Sequence, residues 1–221
     1  MTRELRTGQH APNSGRVARA VAFLHGYGAD GADLLGLADV LAPHLPDTLF
    51  LAPDAPEACR GNPFGRQWFP IPRLDGSTEE EAADSMAQAA ADLDAWIDWV
   101  LTKTNLAPSA LALVGFSQGT MMSLHVAPRR SEPVAAVVGF SGRMIMPERL
   151  AEETVSRPPV LLVHGDADPM VPFESMAIAE GALQAAGFDV NTHVSRGVGH
   201  GIAPDGLSVA LAFLRSHLPA V

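Results

Sequence analysis

The stretch from residue 110 to residue 126 constrains this chain more than any other. Ala110-Leu-Ala-Leu-Val114 is a short apolar run that reads as a buried strand, and Thr120-Met-Met-Ser-Leu-His-Val126 can run as a helix. Between them stands Gly115-Phe-Ser-Gln-Gly119, a serine with glycine two places to either side. Strand, tight turn and helix, with serine at the turn, form the nucleophile-elbow pattern. The glycines have a steric reason. The serine's backbone is strained there, and a Cβ two residues away would collide with the strand and helix that cross at the turn. Such a turn lifts the Ser117 hydroxyl above the sheet edge. It also aims the amide of Gln118, at a helix N-terminus, toward the place where an oxyanion would form.

The remaining apolar runs supply a sheet for that elbow. Residues 17–24 read as a strand, followed by the turn His25-Gly-Tyr-Gly28. Leu34, Leu37 and Leu41 fall on one helical stripe stopped by Pro43. Residues 48–52, 134–140, 160–163 and 188–195 read as further strands, and residues 1–16 as a short edge strand or hairpin. Ser77 with Glu80 predicts a capping box, opening a helix whose buried stripe is Met86, Ala90, Leu93, Ile97 and Leu101. Asp84, Asp92, Asp94 and Asp98 on that helix read as a mostly solvated face. Residues 173–186 predict a helix closed by Gly187, and Leu207, Leu211, Leu214 and Leu218 a final one. Residues 53–76, rich in proline and glycine but carrying Phe64, Trp68, Phe69 and Ile71, read as a long ordered loop. Strands alternating with helices imply an α/β fold, a mostly parallel central sheet with helices on both faces. Residues 1–221 are short enough to be one domain.

Composition removes whole classes of function. The formal charge is −10, with no basic run, which argues against nucleic acid or an anionic membrane surface as partner. Cys59 is the only cysteine, so no internal disulfide and no paired-cysteine zinc site can form. No H-E-x-x-H or comparable ligand cluster occurs, so neither metal nor cofactor is expected. The N-terminus lacks the apolar stretch of a signal peptide, and no apolar run approaches the length of a membrane span. The expectation is a cytoplasmic protein without integral membrane association.

A serine hydroxyl is a weak nucleophile near neutral pH and needs an adjacent base, usually a histidine held by a carboxylate. In this architecture the chain order is Ser, acid, His, each at the C-terminal end of a strand. His193 lies within a strand pattern, His217 on the last helix, and His164 before the candidate acids. His200, in the turn Gly197-Val-Gly-His-Gly201, is the best-placed base. The acid comes from His164-Gly-Asp-Ala-Asp-Pro-Met-Val-Pro172, where Asp166 and Asp168 both qualify by position. The backbone N–H of Tyr27, after an earlier strand, is the candidate second oxyanion donor. Gly26-Tyr-Gly-Ala-Asp-Gly31 is also a formal G-x-G-x-x-G, with Asp54 about 20 residues on. A dinucleotide-binding reading leaves Ser117, Asp168 and His200 without a role.

Taken together, Phe23-Leu-His-Gly-Tyr-Gly28, Trp68-Phe69, Gly115–Gly119, His164–Pro172 and Gly199-His200 resemble the carboxylesterase/phospholipase group of α/β-hydrolases. That group includes acyl-protein thioesterases and small bacterial carboxylesterases. The resemblance covers roughly residues 18–218. It implies an α/β-hydrolase fold without a separate lid domain. It makes Ser117 the nucleophile, Asp168 rather than Asp166 the acid, and His200 the base, with the Tyr27 and Gln118 amides as oxyanion hole. Trp68, Phe69, Val171 and Phe173 are implied beside the acyl or alcohol pocket. The implied reaction is metal-free hydrolysis of short- to medium-chain carboxylic esters through an acyl-enzyme. Thioesters and lysophospholipids are the alternative substrates. The implied partner is a small-molecule ester, and a homodimer is left open. Two departures bear on pocket shape: Tyr27 stands where the family usually has leucine, and Thr120 where it usually has a second glycine.

Overall fold

The structure, a computed structural model, describes residues 1–220. Among the described residues nine strands occur in chain order: β1 (Thr7–His10), β2 (Arg19–Leu24), β3 (Thr48–Pro53), β4 (Glu57–Cys59), β5 (Asn62–Gln67), β6 (Leu111–Phe116), β7 (Ala136–Phe140), β8 (Val160–Gly165) and β9 (Val190–Ser195). Seven form one sheet in the order β1-β3-β2-β6-β7-β8-β9, and β4 and β5 pair separately. Within the large sheet only the edge strand β1 is antiparallel, with Thr7 opposite Pro53 and His10 opposite Phe50.

The alternation along the strands explains the layers. Ala20, Ala22, Leu24, Leu111, Leu113, Val137 and Leu162 point into one core, and Val21, Phe23, Ala112, Val114, Val138 and Val163 into the other. Both faces are apolar because helices cover both. α1 (Gly31–Leu35) and α2 (Leu37–Leu41) share the second core with the last helix, α8 (Pro204–His217); α4 (Glu79–Thr104), α5 (Gln118–Val126) and α7 (Glu174–Ala185) share the first. Two single turns, α3 (Pro72–Asp75) and α6 (Leu150–Glu153), complete the set.

Several local expectations shift. The capping box of α4 is Thr78 with Glu81, not Ser77 with Glu80: Thr78 Oγ1 accepts from Glu81 N–H at 3.1 Å and Glu81 Oε2 from Thr78 N–H at 2.8 Å. Ser77 is instead drawn inward, its N–H donating to Asp75 Oδ1 at 3.0 Å just after Gly76 turns the chain at φ 73°. The stripe at Leu34–Leu41 is two short helices meeting at Gly36. The connection 53–76 holds more regular structure than its composition implied: the β4–β5 hairpin, then α3.

Asp92 is not on a solvated face. Its carboxylate is fully buried and accepts from Arg3 N–H and Nε, both at 2.7 Å, and from Gln88 Nε2 at 3.0 Å. Arg3 reaches on to Glu57 at 3.4 Å, so this clasp ties the N-terminus to α4 and to the hairpin.

Candidate active site

Four turns meet at one edge of the sheet, the edge formed by the C-terminal ends of the parallel strands. Tyr27 follows β2, Ser117 follows β6, Asp168 follows β8 and His200 follows β9. Ligand sites of open parallel sheets gather at this edge.

The serine turn is strained in the manner its sequence implies. Ser117 has φ 53° and ψ −112°, a region L-residues rarely occupy. Its N–H donates to the Phe140 carbonyl at 2.8 Å, and its own carbonyl receives the Met121 N–H at 3.2 Å. A Cβ on Gly115 would collide with the first turn of α5, and a Cβ on Gly119 with the Leu24 and His25 carbonyls of the neighbouring strand. Both glycines are therefore structural requirements of the turn.

A hydrogen-bonded chain runs from that serine. His200 Nε2 lies 3.0 Å from Ser117 Oγ, and His200 Nδ1 lies 2.7 Å from Asp168 Oδ2. Asp168 is fully buried at its side chain and accepts from the Met170 and Val171 amides at 2.8 and 3.0 Å through Oδ1. Burial alone would raise this carboxyl. His200 and the two amides outweigh burial and hold it below the ordinary carboxylate range. An ionised Asp168 fixes the proton on His200 Nδ1 and leaves Nε2 as an acceptor facing the serine hydroxyl. The Phe116 ring, with centroid 4.9 Å from that of His200, backs the imidazole.

Asp166 has a different task. It accepts from the Gly197 N–H at 2.6 Å and from Arg196 at 3.1 Å, bracing the turn that carries His200. His164 lies beneath the chain, buried, with Nε2 3.1 Å from the Val171 carbonyl and 3.4 Å from Asp168 Oδ2.

Two backbone amides remain available beside the serine. Among the described residues neither Tyr27 N–H nor Gln118 N–H has an acceptor, and Gln118 opens α5 where the helix leaves its first donors free. His25, fully buried, holds the Tyr27 turn in place. Its Nδ1 donates to the Gly26 carbonyl at 2.8 Å, and its Nε2 accepts from the Ala55 N–H at 2.9 Å. Burial favours the neutral ring and lowers its pKa. Gly28 N–H to Arg66 O at 2.8 Å and Arg66 N–H to Ala29 O at 2.7 Å lace the same turn to β5. The Tyr27 hydroxyl, raised by burial and by Cys59 and Asp75, donates to Asp75 Oδ2 at 3.3 Å.

Beside the elbow lies a cleft of about 410 Å³, walled by Phe69, Pro70, Ile71, Met121, Met170 and Val171. It is tied to the serine at Met121 and to Asp168 at Val171. Phe69 and Val171 thus line the cleft. Trp68 does not: it is fully buried behind the wall, its Nε1 donating to the His25 carbonyl at 3.0 Å. Phe173 is also outside the wall, its half-buried ring edge-on to His164.

The chain matches the phospholipase/carboxylesterase family over residues 11–218. It belongs to that family. It is an ester hydrolase with the α/β-hydrolase fold. The crystal structure of esterase PE8 superposes with a TM-score of 0.92 at 43% identity, over 97% of this chain and 100% of that one. Esterase YpfH of Escherichia coli (strain K12) is 31% identical over 201 residues, covering 89% of this chain and 82% of its own. Acyl-protein thioesterase 1 of Gibberella zeae is 24% identical over 221 residues, covering 94% of each.

For a hydrolase of this family, the side chain of Gln118 is the part that sequence reading passed over. It is buried, accepts from Trp68 N–H at 2.8 Å through Oε1 and donates to the Phe69 carbonyl at 2.7 Å through Nε2. One residue therefore keeps a free backbone N–H next to Ser117 and pins the cleft wall with its side chain. A polar residue directly after the elbow serine, at a buried helix start, is the signal that could have found it. Among the described residues no group of three or more His, Cys, Asp or Glu is placed to hold a metal ion. No described helix is long and apolar enough to cross a membrane.

Proposed function

We propose that this family member hydrolyses short- to medium-chain carboxylic esters with Ser117 as nucleophile, His200 as general base and acid, and Asp168 as the carboxylate that orients His200. The observation that carries this reading is the pair of contacts at 3.0 and 2.7 Å that joins a strained serine to a buried carboxylate through one imidazole. Ser117 Oγ attacks the ester carbonyl as its proton passes to His200 Nε2. The carbonyl oxygen becomes an oxyanion held by the Tyr27 and Gln118 amides, each worth about 3 kcal/mol of barrier. The bond to the alcohol oxygen then breaks, and His200 returns the proton to that oxygen. Water repeats the cycle on the acyl-enzyme, losing its proton to His200 and releasing the acid and the free serine. The cleft of about 410 Å³ falls within the size range of small-ligand pockets. The likeness to acyl-protein thioesterase 1 over 94% of the chain supports thioesters as alternative substrates of the same machinery.

The test is hydrolysis of 4-nitrophenyl butyrate by the wild type and by Ser117→Ala, with folding checked by circular dichroism. The variant is expected to lose at least about 10⁴-fold in kcat. Activity retained by a folded variant rejects Ser117 as nucleophile.

A further inference from the structure

The cleft beside the elbow is apolar except for Arg73, Glu79, Arg143 and Ser175. Two of the three charges are already engaged. Arg73 donates to the Met170 carbonyl at 3.1 Å, bridging the two lips of the cleft. Glu79 is the first residue of α4, where the helix N-terminus favours a carboxylate. Arg143 differs from both. Among the described residues its guanidinium has no carboxylate within ion-pair distance and no hydrogen-bond acceptor, and it is exposed into the cleft.

The chain beneath Arg143 is rigidly placed. Ser141 and Met146, on either side, adopt φ 47° and 48°, unusual for residues with a Cβ. Gly142 has no room for a side chain. A Cβ there would collide with Thr120 and come within 3.0 Å of the Ser117 carbonyl. Thr120 in turn is fixed by its hydroxyl, 2.8 Å from both the Gly115 and Phe140 carbonyls. Thr120, one of the two departures from the family pattern, thus sets the height of the segment from which Arg143 projects, directly after the glycine that packs on the elbow. A free guanidinium on a fixed backbone, at the mouth of an apolar cleft, fits a carboxylate bidentately.

We propose that Arg143 makes this cleft selective for esters that carry a second, anionic group, a carboxylate on the part of the substrate that lies in the cleft. The proposal rests on the esterase reading above. The net charge of −10 opposes an approaching anion, so local attraction is needed to reverse that bias. At a partly exposed site such attraction amounts to roughly tenfold in kcat/KM.

Two substrate pairs locate the anion. In the acyl arm, 4-nitrophenyl hydrogen adipate is compared with 4-nitrophenyl hexanoate. In the alcohol arm, 4-(butyryloxy)benzoate is compared with 4-(butyryloxy)benzamide. Each is assayed with the wild type, Arg143→Gln and Arg143→Lys. In one arm the anionic-to-neutral ratio of kcat/KM is expected to fall about tenfold in Arg143→Gln, to be kept only in part in Arg143→Lys, which supplies charge without the bidentate fork, and to decline with added salt in the wild type and Arg143→Lys but not in Arg143→Gln. A ratio unchanged within twofold in both arms overturns the role of Arg143. The neutral esters separate this failure from the other: their hydrolysis reports the esterase reading itself.

Discussion

Asp168 and Asp92 are both carboxylates with no exposed side-chain surface, and both hold a basic partner at 2.7 Å. One lies at the C-terminal edge of the sheet, the other inside the clasp of α4 and the N-terminus. The difference is what stands beyond the partner. Arg3 is permanently charged and ends on another carboxylate, Glu57, so the partner of Asp92 cannot take a proton from a hydroxyl. His200 has a second nitrogen, and that nitrogen faces a hydroxyl on a strained turn. Burial and pairing of a carboxylate are therefore shared by scaffold and site. The titratable relay is what separates them.

Replacing each carboxylate tests this contrast from opposite sides. Asp168→Asn should lower kcat by about 10⁴-fold, because the amide no longer enforces the tautomer that leaves Nε2 free. Asp166→Asn, two residues away, should lower it less than fivefold or so, since the amide can still receive the Gly197 N–H. Equal losses would break the assignment of the acid. Asp92→Ala should do the reverse: thermal or denaturant unfolding would show a loss of about 2 kcal/mol from the missing hydrogen bonds to Arg3 and Gln88, with kcat of the folded fraction unchanged. A large loss of kcat at full stability would move Asp92 into the site.

A smaller effect sharpens the comparison with a half-buried histidine that has no carboxylate within hydrogen-bond distance. His125, near the end of α5, is lowered to about 4 by burial and by the Arg129 guanidinium, and its Nδ1 has no partner among the described residues. As pH falls from 6.5 toward about 4, the unfolded chain takes up this proton before the folded one does, so stability declines across that window. The melting temperature of His125→Gln should fall less than that of the wild type between those limits. Parallel profiles would contradict a ring held neutral by its surroundings.

The elbow was legible because its rules are local: two glycines with fixed steric reasons, one apolar run before and one helix after. Order along the chain then singled out His200. The choice between Asp166 and Asp168 was not open to residue chemistry alone, since both sit in one turn. It depends on the Met170 and Val171 amides curling back onto Asp168 Oδ1. The ordered loop expected over residues 53–76 takes its regular structure from partners far away in sequence, such as Gln118 on Trp68 and Phe69 and Arg66 on Ala29. Composition does not register such contacts. Asp92 was misread for the same reason, its partner lying 89 residues away.

The central claim is that His200 and Asp168 make Ser117 a nucleophile. Intact-protein mass spectrometry after brief exposure to a fluorophosphonate tests it most directly. The account predicts one adduct per chain, mapped to Ser117, and much slower labelling of Asp168→Asn. A folded wild-type protein that stays unlabelled, or carries its adduct on another residue, would contradict it.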